Sequence, residues 1–343
     1  MEELQIDYTS LQETVEQLLP RDFPVSVETF FKQLIAGDGV GTFFKEFFRW
    51  MFSNLSFPVE QGIYLLFLVM FAALFSNLSK AFLKNGASQM GFLCVYLLLA
   101  LSVTGGFRAS FVIAKEGLEN ICRFASVLFP TYCVSIAFVT GSLTAAGYYQ
   151  GTTFLIVLLE YLTSFVLLPL SQMYLLLAFA SCMQQEPVFS KLLTMIVNVF
   201  SWIQKTLLGV ALAFGGVQGI LLPAVDRVKK NALVKSASAI PGVGNLVNGA
   251  WETVMGAGIV LKNAIGIGGI CLLFLICAFP LCQLGLQYLM YRLVGVATEP
   301  VLKEQTEEFL FHAGTAQKLL FQTLSLGMML FLLLLVVMTR ITV

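Results

Sequence analysis

Residues 319–339 read LLFQTLSLGMMLFLLLLVVMT, 21 consecutive residues without a charge between Lys318 and Arg340. At 1.5 Å rise per residue, about 20 apolar residues cross the hydrocarbon core of a bilayer. Comparable uncharged runs recur at 61–79, 85–107, 124–159, 161–185 and 263–291. Inside lipid the backbone must satisfy its own N–H and C=O groups, and runs of this length do so as helices. The fold expected is therefore all-α, a polytopic transmembrane helical bundle with membrane lipid as its solvent.

The composition agrees. Of the 343 residues 58% are hydrophobic and only 12% charged, with 31 Phe and a mean hydropathy of +0.85, well outside the range of a soluble domain. Formal net charge is zero, so nothing in the sequence points to nucleic acid. The seven cysteines, at 94, 122, 133, 182, 271, 277 and 282, lie in or beside apolar runs and form no CxxC pair; they read as small lipid- or helix-facing residues rather than as disulfides or metal ligands.

Seven spans are expected, at 61–79, 90–113, 124–140, 152–182, 192–222, 264–290 and 319–339. Two are awkward: Glu160 and Pro169 interrupt 152–182, and Lys205 sits inside 192–222. Between the second and third, Lys115, Glu119 and Arg123 at successive i,i+4 spacings describe a salt-bridged surface helix. Ahead of the spans, residues 1–60 form a separate acidic region with ten Asp/Glu against four Lys/Arg. Leu4, Tyr8, Leu11, Val15 and Leu18 make one amphipathic stripe there, a second short helix is expected over 27–35, and Phe44, Phe47, Phe48 and Met51 beside Trp50 make a third, aromatic face. That face suits either the headgroup plane or packing against the membrane domain.

Lysine and arginine set the orientation. With seven spans and an outside N-terminus, the inside loops hold 7 Lys/Arg in 41 residues and the outside segments 10 in 107, which favours N-terminus outside and C-terminus in the cytoplasm. Residues 1–20 contain no Lys or Arg and so no secretory leader; the expectation is a leader upstream of Met1 or a start placed late.

Residues 207–270 are dense in glycine. Gly215, Gly216, Gly219, Gly242, Gly244, Gly266, Gly268 and Gly269, with Pro241 as a breaker, suggest close backbone approach between helices. The piece from Pro241 to Leu261 is too short and polar to cross alone. It reads either as a re-entrant, broken hairpin lining protein or water or as a cytoplasmic amphipathic helix pair that clamps the bundle.

Ionisable residues within spans are the other candidates, because burying one costs about 2.5–3.5 kcal/mol even on the mild insertion scale. Glu160 is expected to face protein or water, with Lys205, Glu252 and Lys262 as possible partners; Arg108 is free to snorkel. For catalysis the sequence offers little: it has no GxxxxGK[ST], HExxH or GxSxG motif, and its one histidine, His312, reads as a solvated residue of an outer loop at 291–318. No catalytic, cofactor-binding or metal-ligating residue is assigned.

Four pieces in order, Gly216-Val-Gln-Gly-Ile220, Pro223-Ala-Val-Asp226, Lys235-Ser-Ala-Ser-Ala-Ile-Pro-Gly-Val-Gly244 and Leu261-Lys-Asn-Ala-Ile-Gly-Ile-Gly268, resemble the stage III sporulation protein AE family, and the order of spans from Gln61 to Val343 resembles it too. The resemblance implies a multi-pass protein of the mother-cell membrane facing the engulfed forespore. It implies as partners the other products of the stage III sporulation operon, including its ATPase, and a forespore-side channel protein. Together these would form a secretion-like channel needed for forespore development and late sigma factor activity. The competing class is a self-contained secondary transporter, with its site at Glu160 and the broken glycine-rich helices.

Overall fold

A computed structural model describes residues 40–53, 55–82, 85–183, 189–238, 244–298 and 304–340. Among these, nearly every residue is helical and none lies in a strand. The helices are α1 (Val40–Ser53), α2 (Ser56–Phe82), α3 (Asn85–Val139), α4 (Ser142–Leu162), α5 (Leu168–Met183), α6 (Ser190–Ser238), α7 (Gly244–Thr298) and α8 (Glu304–Arg340). A π-helical turn, Thr163–Leu167, joins α4 to α5.

Among the described residues six stretches are long and apolar enough to cross a membrane: Lys45–Phe75, Leu93–Val139, Ser142–Met183, Ser190–Val217, Met255–Thr298 and Gln305–Thr339. The sequence predicts seven because 90–113 and 124–140 stand apart as apolar runs, whereas both belong to α3. The charged stretch between them does not break the helix. Lys115 and Glu119 pair across one turn at 3.8 Å on the exposed side, while Ala114, Leu118 and Ile121 bury the opposite side. An even number of crossings leaves both ends of the helical array on one side of the membrane, so opposite sides for the two ends would require an odd number.

Proline explains the interruption of 152–182. Pro169 offers no N–H, and its ring would collide with the carbonyl four residues back in a regular helix. The chain widens by one residue just before it, and the Leu168 N–H bonds to the Thr163 carbonyl, five positions earlier. The apolar run thus continues as one 42-residue helical stretch.

The glycine-rich segment is helical on both sides of 239–243, which lie outside the described residues. From Gly244 onward α7 continues without unwinding through Leu261 into the apolar run, so the described part of this segment is helix rather than unwound re-entrant backbone. Continuous helix satisfies each peptide group internally, which unwound chain in lipid does not.

His312 requires a correction. Helix α7 extends to Thr298 and α8 already begins at Glu304, so this histidine is on a helix, half-buried, and not in a solvated loop. The charges at 304–308 suggested a helix end, but Phe309, Leu310, Ala313, Ala316 and Leu320 are buried at three- and four-residue spacing and carry the helix inward from its first turns.

Helices α7 and α8 pack on each other and on α3 to form the centre. Phe331 of α8 sits between Phe124 and Phe129 of α3, with ring centroids 5.7 and 5.1 Å away. The short α1 is laid against this centre: Phe47 and Met51 are buried, and the Trp50 ring lies 5.2 Å from Phe279 of α7. Phe48 and Phe52 face outward. The amphipathic stripe at 4–18 and the short helix expected over 27–35 lie outside the described residues.

Replacing Phe331 by Ala removes the ring shared by both α3 aromatics. The expected cost is about 3–5 kcal/mol, measured as a lowered melting temperature of the protein in detergent, with Phe52→Ala, on the exposed side, as the neutral control.

Candidate functional site

Three helices meet where α3 gives way to α4, the third being α6. Helix α3 closes with Thr140 N–H on the Ile136 carbonyl at 2.9 Å, and Gly141 then turns the chain with φ +137°, a conformation that glycine tolerates and other residues rarely adopt. As the residue before α4, Gly141 has no side chain to cap the exposed N–H groups of the first turn. Asp226, on the later half of α6, supplies the cap. Its Oδ2 accepts from the Thr144 N–H at 2.7 Å and from the Thr144 hydroxyl at 2.6 Å. Thr144 occupies the third helical position, the place an ordinary N-cap side chain reaches, and a carboxylate there also meets the positive end of the helix dipole. Only 7% of Asp226 is exposed. A Cβ on residue 141 would lie 2.6 Å from its carboxyl carbon, so Gly141 and Asp226 are fitted to one another.

A cation does the complementary work at the far end of α8. Lys262 of α7 is fully buried, and its Nζ donates to the Thr339 carbonyl at 2.8 Å. That carbonyl belongs to the last turn, where acceptors lack helical donors and the dipole is negative. Four residues on, Gly266 allows the approach: a Cβ there would come within 2.6 Å of Thr339 Cγ2 and 3.2 Å of the Tyr132 hydroxyl.

The other glycines separate into two groups. Gly215 packs against Val337, Gly258 against Phe138 and Val139, and Gly269 against Leu128, each so tightly that a Cβ would meet its neighbour at 3.1 Å or less. Gly268 is buried. Gly216, by contrast, has open space where a Cβ would stand, as do Gly209 and Gly256. Gly244 opens α7; Pro241 and Gly242 lie outside the described residues, as do the surroundings of Gly219 and the side chain of Glu252.

Glu160 and Lys205 are both exposed and form no ion pair with each other. The reason for Glu160 lies in its neighbours. Leu155, Leu159 and Thr163 take the inward side of α4 and the π turn at four-residue spacing, so the residue following Leu159 is rotated about 100° away from the core. Beside it Val157, Tyr161 and Phe165 also point outward, as does Trp202 on α6. Of the four ionisable candidates, Lys262 alone is seen at the helix junction, and it meets a backbone carbonyl rather than Glu160.

A polar patch that sequence reasoning passed over lies inside the bundle. The Gln287 amide of α7 donates to the Gln61 side-chain oxygen of α2, and the Tyr291 hydroxyl reaches the Val103 carbonyl of α3 at 3.4 Å. Gly106 makes room for both, since a Cβ there would stand 2.6 Å from Gln61 Nε2 and from the Tyr291 oxygen. Glutamines in apolar runs were the available signal. For the α4 cap the signal was that Asp226 is the sole aspartate after residue 38.

Substitutions distinguish these roles. Asp226→Ala is expected to cost about 0.5–2 kcal/mol as a lost cap, and Lys262→Met about 1–3 kcal/mol by leaving a buried carbonyl without its donor. Gly266→Ala is expected to lower the melting temperature in detergent, whereas Gly216→Ala is expected to leave it unchanged. Equal effects at the two glycines would mean that the close approach at Gly266 does not stabilise the bundle.

No solved structure matches the chain. One curated relative, "Stage III sporulation protein AE" of Bacillus subtilis (strain 168), is 24% identical over 238 residues, covering 69% of this chain. The match spans only 60% of that relative's length. The family profile described as stage III sporulation protein AE matches residues 25–342, which include the Asp226 cap, the Lys262 contact and all six candidate spans. This chain therefore belongs to the stage III sporulation protein AE family.

Proposed function

We propose that this chain is a non-enzymatic membrane component of a sporulation channel, a secretion-like assembly in the mother-cell membrane that faces the forespore and sustains its development and late sigma factor activity. Its partners are the other products of the stage III operon, including an ATPase that supplies the energy, and a channel protein contributed from the forespore side. The basic stretch with Lys229, Lys230 and Lys235 and the C-terminal end with Arg340 face the cytoplasm under the positive-inside rule.

The observation that carries this reading is the outward placement of Glu160 and Lys205. Ionisable side chains within spans normally face a bundle's interior or a watery cavity. Here they stand among exposed aromatic and aliphatic residues on the outside of α4 and α6, so the groups that satisfy them come from another subunit. A self-contained transporter would turn Glu160 toward the middle of its own bundle. On the inner side of the same turn is an apolar space of about 10 Å³ bounded by Cys122, Leu155, Leu159, Leu207 and Leu334, enough for at most one water.

The test is affinity purification of the tagged protein from sporulating cells, comparing wild type with Glu160→Gln and Lys205→Gln. Both variants are expected to keep the wild-type melting temperature in detergent while recovering less of the operon's other products and yielding fewer heat-resistant spores. Full recovery and normal sporulation in both would overturn the reading, as would a lone oligomer that takes up solute in liposomes.

A further inference from the structure

The last turn of α5 meets the first turns of α8 in a cluster of three metal-ligating side chains. Cys182, Glu308 and His312 place a thiol sulfur, a carboxylate oxygen and a ring nitrogen within 4.8 Å of one another. Glu308 and His312 stand four residues apart on one face of α8, and Cys182 comes from a helix 130 residues earlier in the chain. The ring of His312 is held from its other side, since Nδ1 lies 2.7 Å from the Tyr174 hydroxyl. That contact leaves Nε2 directed at Glu308 Oε1, at 3.7 Å, beyond hydrogen-bond length. The His312 side chain is 18% exposed and Glu308 45%, while Cys182 is buried.

We propose that Cys182, Glu308 and His312 bind a divalent transition metal of the zinc class, with Tyr174 as the residue that positions the His312 ring. A thiolate, an imidazole and a carboxylate form a donor set matched to zinc, which takes sulfur at about 2.3 Å and nitrogen or oxygen at about 2.0–2.2 Å in tetrahedral array. Ligand atoms in such an array are about 3.4–3.7 Å apart. The Glu308 and His312 atoms already meet that at 3.7 Å, so the contraction from at most 4.8 Å, about 1.1–1.4 Å, falls on the distances to the Cys182 sulfur. Water approaching from the Glu308 side fills the fourth position. A hydrogen bond from the opposite ring nitrogen is the usual accompaniment of a metal-bound histidine, fixing its tautomer. With the metal on Nε2, the ring proton is on Nδ1, which then donates to the Tyr174 oxygen 2.7 Å away.

Binding exchanges a proton for the metal: the Cys182 thiol releases its hydrogen to solvent and the sulfur lone pair bonds to the cation. Two anionic ligands balance a divalent ion. The nearby guanidinium of Arg292 is engaged elsewhere, lying 3.9 Å above the Phe311 ring and 5.7 Å from that of Tyr288. The bound ion would tie the end of α5 to the start of α8. His312 and Thr339 are 27 residues apart on one helix, about 40 Å along its axis, so this staple lies far from the Lys262 contact and is independent of it.

The experiment uses the full chain purified in detergent and stripped of metal, titrated with Co²⁺ as a spectroscopic probe and then with Zn²⁺. One equivalent of cobalt is expected to produce a thiolate-to-metal charge-transfer band together with the intense visible absorption of tetrahedral cobalt, both erased by zinc. Cys182→Ser is expected to abolish the charge-transfer band. Glu308→Gln, at a half-exposed position that leaves the fold undisturbed, is expected to weaken affinity at least tenfold. Tyr174→Phe should weaken it about 10–100-fold while the band positions stay the same. Absence of a thiolate band at stoichiometric cobalt, a band of full intensity in Cys182→Ser, or unchanged affinity in Glu308→Gln would each overturn the proposal.

Discussion

A helix that ends within a packed, water-poor bundle leaves peptide groups with no solvent to turn to, and that constraint organises this molecule. Among the described residues, the start of α4 and the end of α8 are places where it is met by charge. Asp226 brings an anion to exposed N–H groups and Lys262 a cation to exposed carbonyls, each opposite in sign to the dipole end it faces. Neither group is a stray ion in an apolar setting. Each is the missing partner of a backbone, delivered by a different helix, and so each fixes the height of one helix against another.

The glycines follow from those contacts rather than standing apart from them. A carboxylate can reach the first turn of α4 because residue 141 has no Cβ, and α7 can lie against the end of α8 because residue 266 has none. In lipid, where apolar burial gives little preference for one helix pairing over another, such close fits supply much of the specificity. Glycines with open space, at 209, 216 and 256, belong to the outer surface and contribute nothing to the interior.

Much of this was legible in the sequence, though unevenly. Helical class and membrane character follow from the uncharged runs, and the glycine-dense third pointed to the right neighbourhood. What periodicity left unread was direction. Glu160 follows a buried leucine by one residue, and that single step, invisible to a hydropathy window, decides whether it faces inward or outward. Partnership across long separations was equally hidden. Thr144 and Asp226 are 82 residues apart and Tyr174 and His312 are 138 apart, so their joint meaning appears only once the helices are set side by side. Charges also misled where they were tolerated: the stretch 108–123 and the acidic start of α8 looked like ends, yet one helical face was apolar enough to keep each in the bundle.

The widened turn at Thr163–Leu167 has a consequence for how the molecule is seen from outside. At about 100° per residue, twelve residues of unbroken helix would turn Met173 about 120° away from Tyr161; the added residue takes up about 100° of that and leaves the two nearly aligned. Leu159, Thr163 and Ser171 accordingly stay buried across the widened turn while Tyr161, Phe165 and Met173 stay exposed. The proline thereby keeps one long rod showing the same side to its surroundings along its length.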